Sequence, residues 1–209
     1  MDSREIFSHV DHTLLKMGAT WDEVEAVCEE AARYGAATVC VPPSCVSRIN
    51  AQYPNLPITT VIGFPLGFNT TGTKVFEAEQ ALKAGASEID MVINLSDVKN
   101  KAFHRLVSEI TAVKRAMGEN ILKVIVETCL LEEQEKIELC SLLGAAGADY
   151  IKTSTGFGGK GAELKDIALF RRHLPERIKI KAAGGIRTKQ AMIEFLEAGA
   201  ERIGCSQGV

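Results

Sequence analysis

Several features are scarce in this 209-residue chain, and each scarcity removes a class of function. No apolar run reaches the roughly 20 residues that a membrane-spanning helix needs, because Lys or Glu interrupts the longest ones. Charge of one sign is not in excess: 24 Lys and Arg stand against 27 Asp and Glu, a net −3. Nothing in that balance calls for nucleic acid or an anionic membrane as partner. The opening stretch "MDSREIFSHVDHTLL" lacks the basic segment and apolar core of a secretory leader, so the expected location is the cytoplasm. The six cysteines, Cys28, Cys40, Cys45, Cys129, Cys140 and Cys205, form no C-x-x-C pair and no Cys/His zinc spacing. Free buried thiols in a reducing compartment are the expectation. In "HVDHT", strand alternation puts His9 and Asp11 on one face and His12 on the other, while His104 and His173 fall in helical segments. No metal site and no cofactor are expected.

What is present is an ordinary globular mixture, 46% hydrophobic and 24% charged, of a length that suits a single domain over residues 1–209. Gly-Ala recurs at Gly35, Gly85, Gly147 and Gly199, each time after a helical pattern and before a short apolar run. A glycine just past a helix supplies the left-handed residue from which the chain enters a strand. Strands are expected near Val10–Leu14, Thr38–Val41, Ile58–Phe64, Glu88–Asn94, Leu122–Glu127, Tyr150–Ser154, Ile178–Ala183 and Arg202–Cys205. Helical stripes fill the gaps: one opens with Thr20 and Glu23 as a capping box, and others run over Ala102–Met117 and Ala162–Leu174. Eight strands alternating with helices predict an α/β protein, a (β/α)8 TIM barrel. A doubly wound open sheet is the alternative, but "DHTLLKMGAT" after the first strand is not a Gly-rich dinucleotide turn. The chain is short against the roughly 250 residues usual for such barrels, and the helix after the eighth strand is expected to be short or missing.

The faces of these strands carry an anomaly. Lys152 interrupts the apolar strand of "GADYIKTSTGFGGKG", and isolated charges recur elsewhere: Asp90 in "EIDMVIN", Lys181 in "IKIKAAGG", Glu127 in "LKVIVET". With the apolar faces turned to the helices, these four converge inside the barrel. Lys123 and Lys179, earlier in their strands, are expected exposed or paired at the bottom rim. An interior charge is often structural, but two ammonium groups with one carboxylate between them are costly to bury. That cost points to chemistry.

A lysine becomes a nucleophile when its amine is neutral near pH 7, which means lowering its pKa from about 10.4 by roughly three units, about 4 kcal/mol. Burial and a neighbouring cation both act in that direction, so Lys181 beside Lys152 suits a Schiff-base former, with Asp90 shuttling protons. Gly184-Gly185, Arg187 and the cap residue Thr188 follow the seventh strand, and Gly204 and Ser206 lie at the end of the eighth. Glycine-lined loops at this place, next to a helix N-terminus, are the usual phosphate site of the fold. The implied substrate is a small phosphorylated carbonyl compound or sugar.

"EIDMVIN", "VIVET", "YIKTSTGF", "KAAGGIRT" and "RIGCS", in that order, together with "VDHTLL" and "VCVPPSCV", resemble the deoxyribose-phosphate aldolase family in its shorter microbial type. The resemblance implies reversible cleavage of 2-deoxy-D-ribose 5-phosphate to acetaldehyde and D-glyceraldehyde 3-phosphate, in deoxynucleoside catabolism in the cytoplasm. It also implies Lys152 as the Schiff-base residue, with Asp90 and Lys181 as proton carriers. Gly156, Gly184, Gly185, Arg187, Gly204 and Ser206 match positions around the phosphate, and Thr155 one near the sugar hydroxyls. Members are homodimers or homotetramers. Two departures stand out: Cys205 and Gln207 sit where Thr or Ser is common, and the C-terminus is short. Cys40 is expected as a buried thiol near an aldehyde pocket. Another Schiff-base aldolase or transaldolase, or a non-catalytic phosphate-binding barrel, remain the alternative readings.

Overall fold

The structure, a computed structural model, describes residues 2–206, so the expectations for Gln207 and for a final helix lie outside the described residues. Eight strands form the inner layer: β1 (Val10–Thr13), β2 (Thr38–Val41), β3 (Ile58–Ile62), β4 (Glu88–Val92), β5 (Ile121–Ile125), β6 (Tyr150–Lys152), β7 (Lys179–Ala183) and β8 (Arg202–Cys205). The surrounding helices are α1 (Ser3–Phe7), α2 (Trp21–Tyr34), α3 (Val46–Gln52), α4 (Thr71–Ala84), α5 (Leu95–Lys99), α6 (Phe103–Met117), α7 (Glu133–Ala146), α8 (Leu164–His173) and α9 (Lys189–Glu197). All strand pairs are parallel and follow chain order, and β8 pairs back onto β1 with Asp11 opposite Gly204. That closure excludes the open sheet.

Local chemistry sets the helix ends. Thr20 accepts from the Glu23 backbone N–H, and the Glu23 side chain accepts in return from Thr20. At the other end of α2, Gly35 sits at φ 72°, where a residue with a Cβ would be strained. Gly85 and Gly147 end α4 and α7 in the same way, whereas α9 ends at Ala198, one residue before Gly199. The short α1, unanticipated in the sequence, buries Ile6 and Phe7. Lys189 at the start of α9 donates to Ser3 Oγ at 2.8 Å, so the helix before β1 lies beside the helix before β8.

The apolar core lies between the layers. Ile89, Val124, Ile151, Ile180 and Ile203 from the strands join Ile110, Leu139, Ile167 and Phe170 from the helices in one buried cluster. Each such side chain contributes roughly 1.5–3 kcal/mol by leaving water. The opposite strand faces hold Asp11, Thr38, Thr59, Asp90, Lys123, Lys152 and Lys181, all buried. No helix among the described residues is long and apolar enough to cross a membrane.

Five strands stop one or two residues short of the expected C-terminal end. At β4 and β5 the cause is visible: Asn94 turns the chain by accepting from the Ser96 N–H as the cap of α5, and Glu127 takes a left-handed φ of 52°. Strand β7 begins at Lys179 rather than Ile178, and β5 at Ile121 rather than Leu122.

Candidate active site

Asp90 organises the barrel interior. It occupies the middle of β4, fully buried, and its two carboxylate oxygens are divided among three lysines. Oδ1 accepts from Lys123 Nζ at 2.9 Å, and Oδ2 accepts from both Lys152 Nζ and Lys181 Nζ at 2.7 Å each. Two nitrogens on one oxygen are no farther apart than twice that distance of 2.7 Å. Register produces this convergence, because Lys152 pairs with Lys181 across β6 and β7, and Asp90 with Lys123 across β4 and β5.

A second carboxylate, Asp11 on β1, accepts from Lys181 Nζ and Arg202 Nη1, and from Thr38 Oγ1 at 2.9 Å. Glu88, two residues before Asp90, takes Lys123 Nζ at 2.7 Å and Arg202 Nη1 at 3.0 Å. Three carboxylates therefore face four basic groups, Lys123, Lys152, Lys181 and Arg202. Full ionisation would leave one uncompensated positive charge in a water-poor interior, which is strongly unfavourable.

The environment of each base decides which one yields its proton. Burial opposes the charge on all four. Asp11, Asp90 and Glu88 overcome it for Lys123, Asp11 and Asp90 for Lys181, and Asp11 and Glu88 for Arg202, so these three hold their protons more tightly than usual. Lys152 moves the other way. Burial lowers its pKa, the single carboxylate Asp90 only partly compensates, and the Lys181 cation adds to the lowering. Asp90 resists ionisation through its burial, yet Lys123, Lys152 and Lys181 together hold its carboxyl well below the usual range.

Above this cluster opens a cavity of about 520 Å3, lined by Lys152, Thr155, Gly156, Gly184, Gly185, Arg187, Gly204 and Ser206, with Lys16, Phe157 and the β1–α2 loop at its mouth. The seven residues expected around the substrate all line the cavity, and of the expected catalytic residues Lys152 does while Asp90 and Lys181 do not. Those two sit beneath it and reach it through Lys152. Small residues keep the floor open. A Cβ on Gly204 would meet Lys181 Cε at 3.3 Å and Ala183 Cβ at 2.9 Å.

Two expectations are corrected, those for Lys123 and Glu127. Lys123 is paired but not at a rim; it is fully buried and bonds Asp90 directly, because the β4–β5 register sets the third residue of β5 opposite Asp90. Lys179 is exposed, as expected, with its ammonium 5.7 Å from the Tyr150 ring centre. Glu127 does not converge with Asp90. The left-handed turn carries it away to accept from the Thr155 backbone N–H at 3.2 Å and from the Thr155 hydroxyl. Cys40 is a buried thiol of β2, as expected, whose pKa burial pushes up; it lies near Lys152 and Lys181 without lining the cavity.

Sequence reasoning overlooked Asp11, Glu88 and Arg202. The signal existed: Asp11 lies in a strand pattern, and Glu88 shares the face of Asp90 by period-two alternation. Reading Asp11 only as a possible metal neighbour of His9 and His12 hid its role as counter-ion.

Residues 6–209 match a family model described as "DeoC/LacD family aldolase". The chain is 52% identical over 210 residues to a deoxyribose-phosphate aldolase of Clostridium botulinum (strain Eklund 17B / Type B), covering 100% of this chain and 95% of that protein. A deoxyribose-phosphate aldolase of Clostridioides difficile (strain 630) is 49% identical, over 97% of this chain and 93% of the relative. Among solved structures, the tetrameric deoxyribose phosphate aldolase of Aeropyrum pernix superposes with a TM-score of 0.91 at 32% identity, covering 98% of this chain and 88% of that one. Matched along nearly its whole length in both sequence and fold, the chain belongs to the DeoC/LacD family of aldolases.

Proposed function

We propose that this protein is a class I aldolase that reversibly cleaves 2-deoxy-D-ribose 5-phosphate to acetaldehyde and D-glyceraldehyde 3-phosphate. The observation that carries the reading is the shared Asp90 oxygen between Lys152 and Lys181, in a cluster with one base more than it has acids. Full-length relatives named deoxyribose-phosphate aldolase support the substrate.

The neutral Lys152 amine attacks C1 of the open-chain aldehyde, and the carbinolamine loses water to give a protonated imine. Asp90, ionised and beneath Lys152, accepts the C3 hydroxyl proton through an intervening water. The C2–C3 bond then breaks, its electron pair flows into the iminium to leave an enamine, and D-glyceraldehyde 3-phosphate departs. The Lys181–Asp90 pair returns a proton to C2, and hydrolysis of the imine releases acetaldehyde and restores the amine. Gly184, Gly185, Gly204 and Ser206 offer backbone N–H groups and a hydroxyl to the phosphate, Arg187 supplies charge, and Thr155 and Gly156 flank the sugar hydroxyls. The reaction needs no cofactor.

The same reading makes the protein a homodimer or homotetramer, supported by the tetrameric Aeropyrum pernix relative. It works in the cytoplasm, where a phosphorylated sugar from deoxynucleoside breakdown is retained by its charge. The test is a cleavage assay over a panel of phosphorylated sugars. Turnover confined to 2-deoxyribose 5-phosphate supports the reading, and preferred turnover of a ketose bisphosphate contradicts it.

A further inference from the structure

Glu127 is a buried carboxylate that the chemistry above does not use. It stands just past β5 with φ 52° and ψ 66°, a backbone conformation that residues carrying a Cβ rarely adopt. It is 4% exposed, and no cation pairs with it among the described residues. The flanking chain is held firmly, since Val126 N donates to Lys152 O at 3.0 Å and Thr128 N to Thr153 O at 2.8 Å. The β5 turn is therefore fastened to the strand that carries Lys152, and it aims Glu127 at the loop just beyond.

Its Oε2 accepts both the backbone N–H and the hydroxyl of Thr155. The same hydroxyl oxygen accepts the Phe157 N–H at 3.0 Å, and the Phe157 ring packs edge-on against Phe64 with centroids 5.3 Å apart. Gly158 leaves room for the carboxylate, as a Cβ there would fall 2.9 Å from Glu127 Oε1. A hydroxyl has one proton and two lone pairs. On Thr155 the proton is committed to Glu127 and one lone pair to Phe157, which leaves a single lone pair. Thr155 lines the cavity, so any cavity group that meets its oxygen has to donate.

We infer that Glu127 is a positioning residue that fixes Thr155 as an obligate hydrogen-bond acceptor and so selects substrates bearing a free hydroxyl between the reacting carbon and the phosphate. A carbonyl, an ether or a bare methylene at that point gains nothing from Thr155. This inference rests on the aldolase reading and adds to it a specificity determinant that touches no substrate atom.

The experiment runs the reaction in the condensing direction with acetaldehyde as donor and two acceptors. D-Glyceraldehyde 3-phosphate carries the hydroxyl, and 3-oxopropyl phosphate lacks it. The ratio of their kcat/KM values is read on one preparation, so an inactive fraction cancels. Wild type prefers the hydroxylated acceptor. In Glu127→Ala and Thr155→Val that preference falls about tenfold, and in Thr155→Ser it is retained. A preference unchanged in either Glu127→Ala or Thr155→Val, or absent from the wild type, overturns the inference. If Glu127→Ala does not fold, the contrast between Thr155→Val and Thr155→Ser decides. Borohydride trapping of acetaldehyde on the wild type separates the two readings. Absence of an adduct defeats the aldolase reading, whereas an adduct with an unaltered preference defeats only the role of Glu127.

Discussion

A lysine inside a barrel is tolerable only while its charge is matched, and among the four bases of the Asp11–Glu88–Asp90 cluster Lys152 is the one whose match is partial. Lys181 has two carboxylates, Asp11 and Asp90, while Lys152 has Asp90 alone and shares it. Lys181 thus acts on Lys152 twice, as a nearby cation and as a competitor for the same oxygen. Replacing it by Leu removes both effects and leaves three carboxylates facing three bases, a balance in which Lys152 keeps its proton. The sign follows: the pKa of Lys152 rises, by roughly one to three units. Lys181→Leu should slow imine formation at neutral pH and recover it in alkaline solution, and stopped-flow measurement of acetaldehyde imine formation against pH checks this. A pH profile identical to the wild type's would contradict the coupling.

At the scale of elements, the alternation of β6, β7 and β4 was legible in advance, because one apolar face per strand with a single charge opposite is a period-two signal. So was each αβ joint marked by Gly-Ala. The strand ends were less legible. Asn94 and Glu127 continue the alternation in sequence, yet their backbones have already turned, and period-two patterning does not register a left-handed residue. Lys123 was misplaced for a related reason: sequence gives its face but not its depth, which the register against Asp90 sets. Close approach between strands was also invisible. Gly204 of β8 faces β7 so tightly that an alanine there would press on Ala183 and Lys181. Gly204→Ala is expected to cost about 1–3 kcal/mol of stability by overpacking. It should also lower kcat at least tenfold by displacing Lys181. Chemical denaturation and steady-state kinetics measure the two, and an unaltered kcat would show that the strands separate without moving the lysine.

For the whole molecule, the interior cluster sets stability against activity. Asp11 and Asp90 have folded pKa values below their unfolded ones, so their contribution is fully present above the unfolded value and is lost as pH falls through the folded value. Lys123 and Lys181 are raised, so theirs is present below the unfolded value and is lost as pH rises through the folded one. Lys152 is lowered, and its protonated form therefore destabilises the fold at neutral and lower pH. Lys152→Met removes the surplus base while filling a similar volume. That variant should lose turnover yet melt at or above the wild-type temperature at pH 6, and a lower melting temperature in scanning calorimetry would argue against an excess charge. The central claim is that Lys152, and no other interior base, is the free amine. Borohydride reduction in the presence of acetaldehyde, followed by peptide mass mapping, tests it most directly. The account predicts a single ethyl adduct on the peptide containing Lys152; an adduct on Lys181 or Lys123, or none at all, would contradict it.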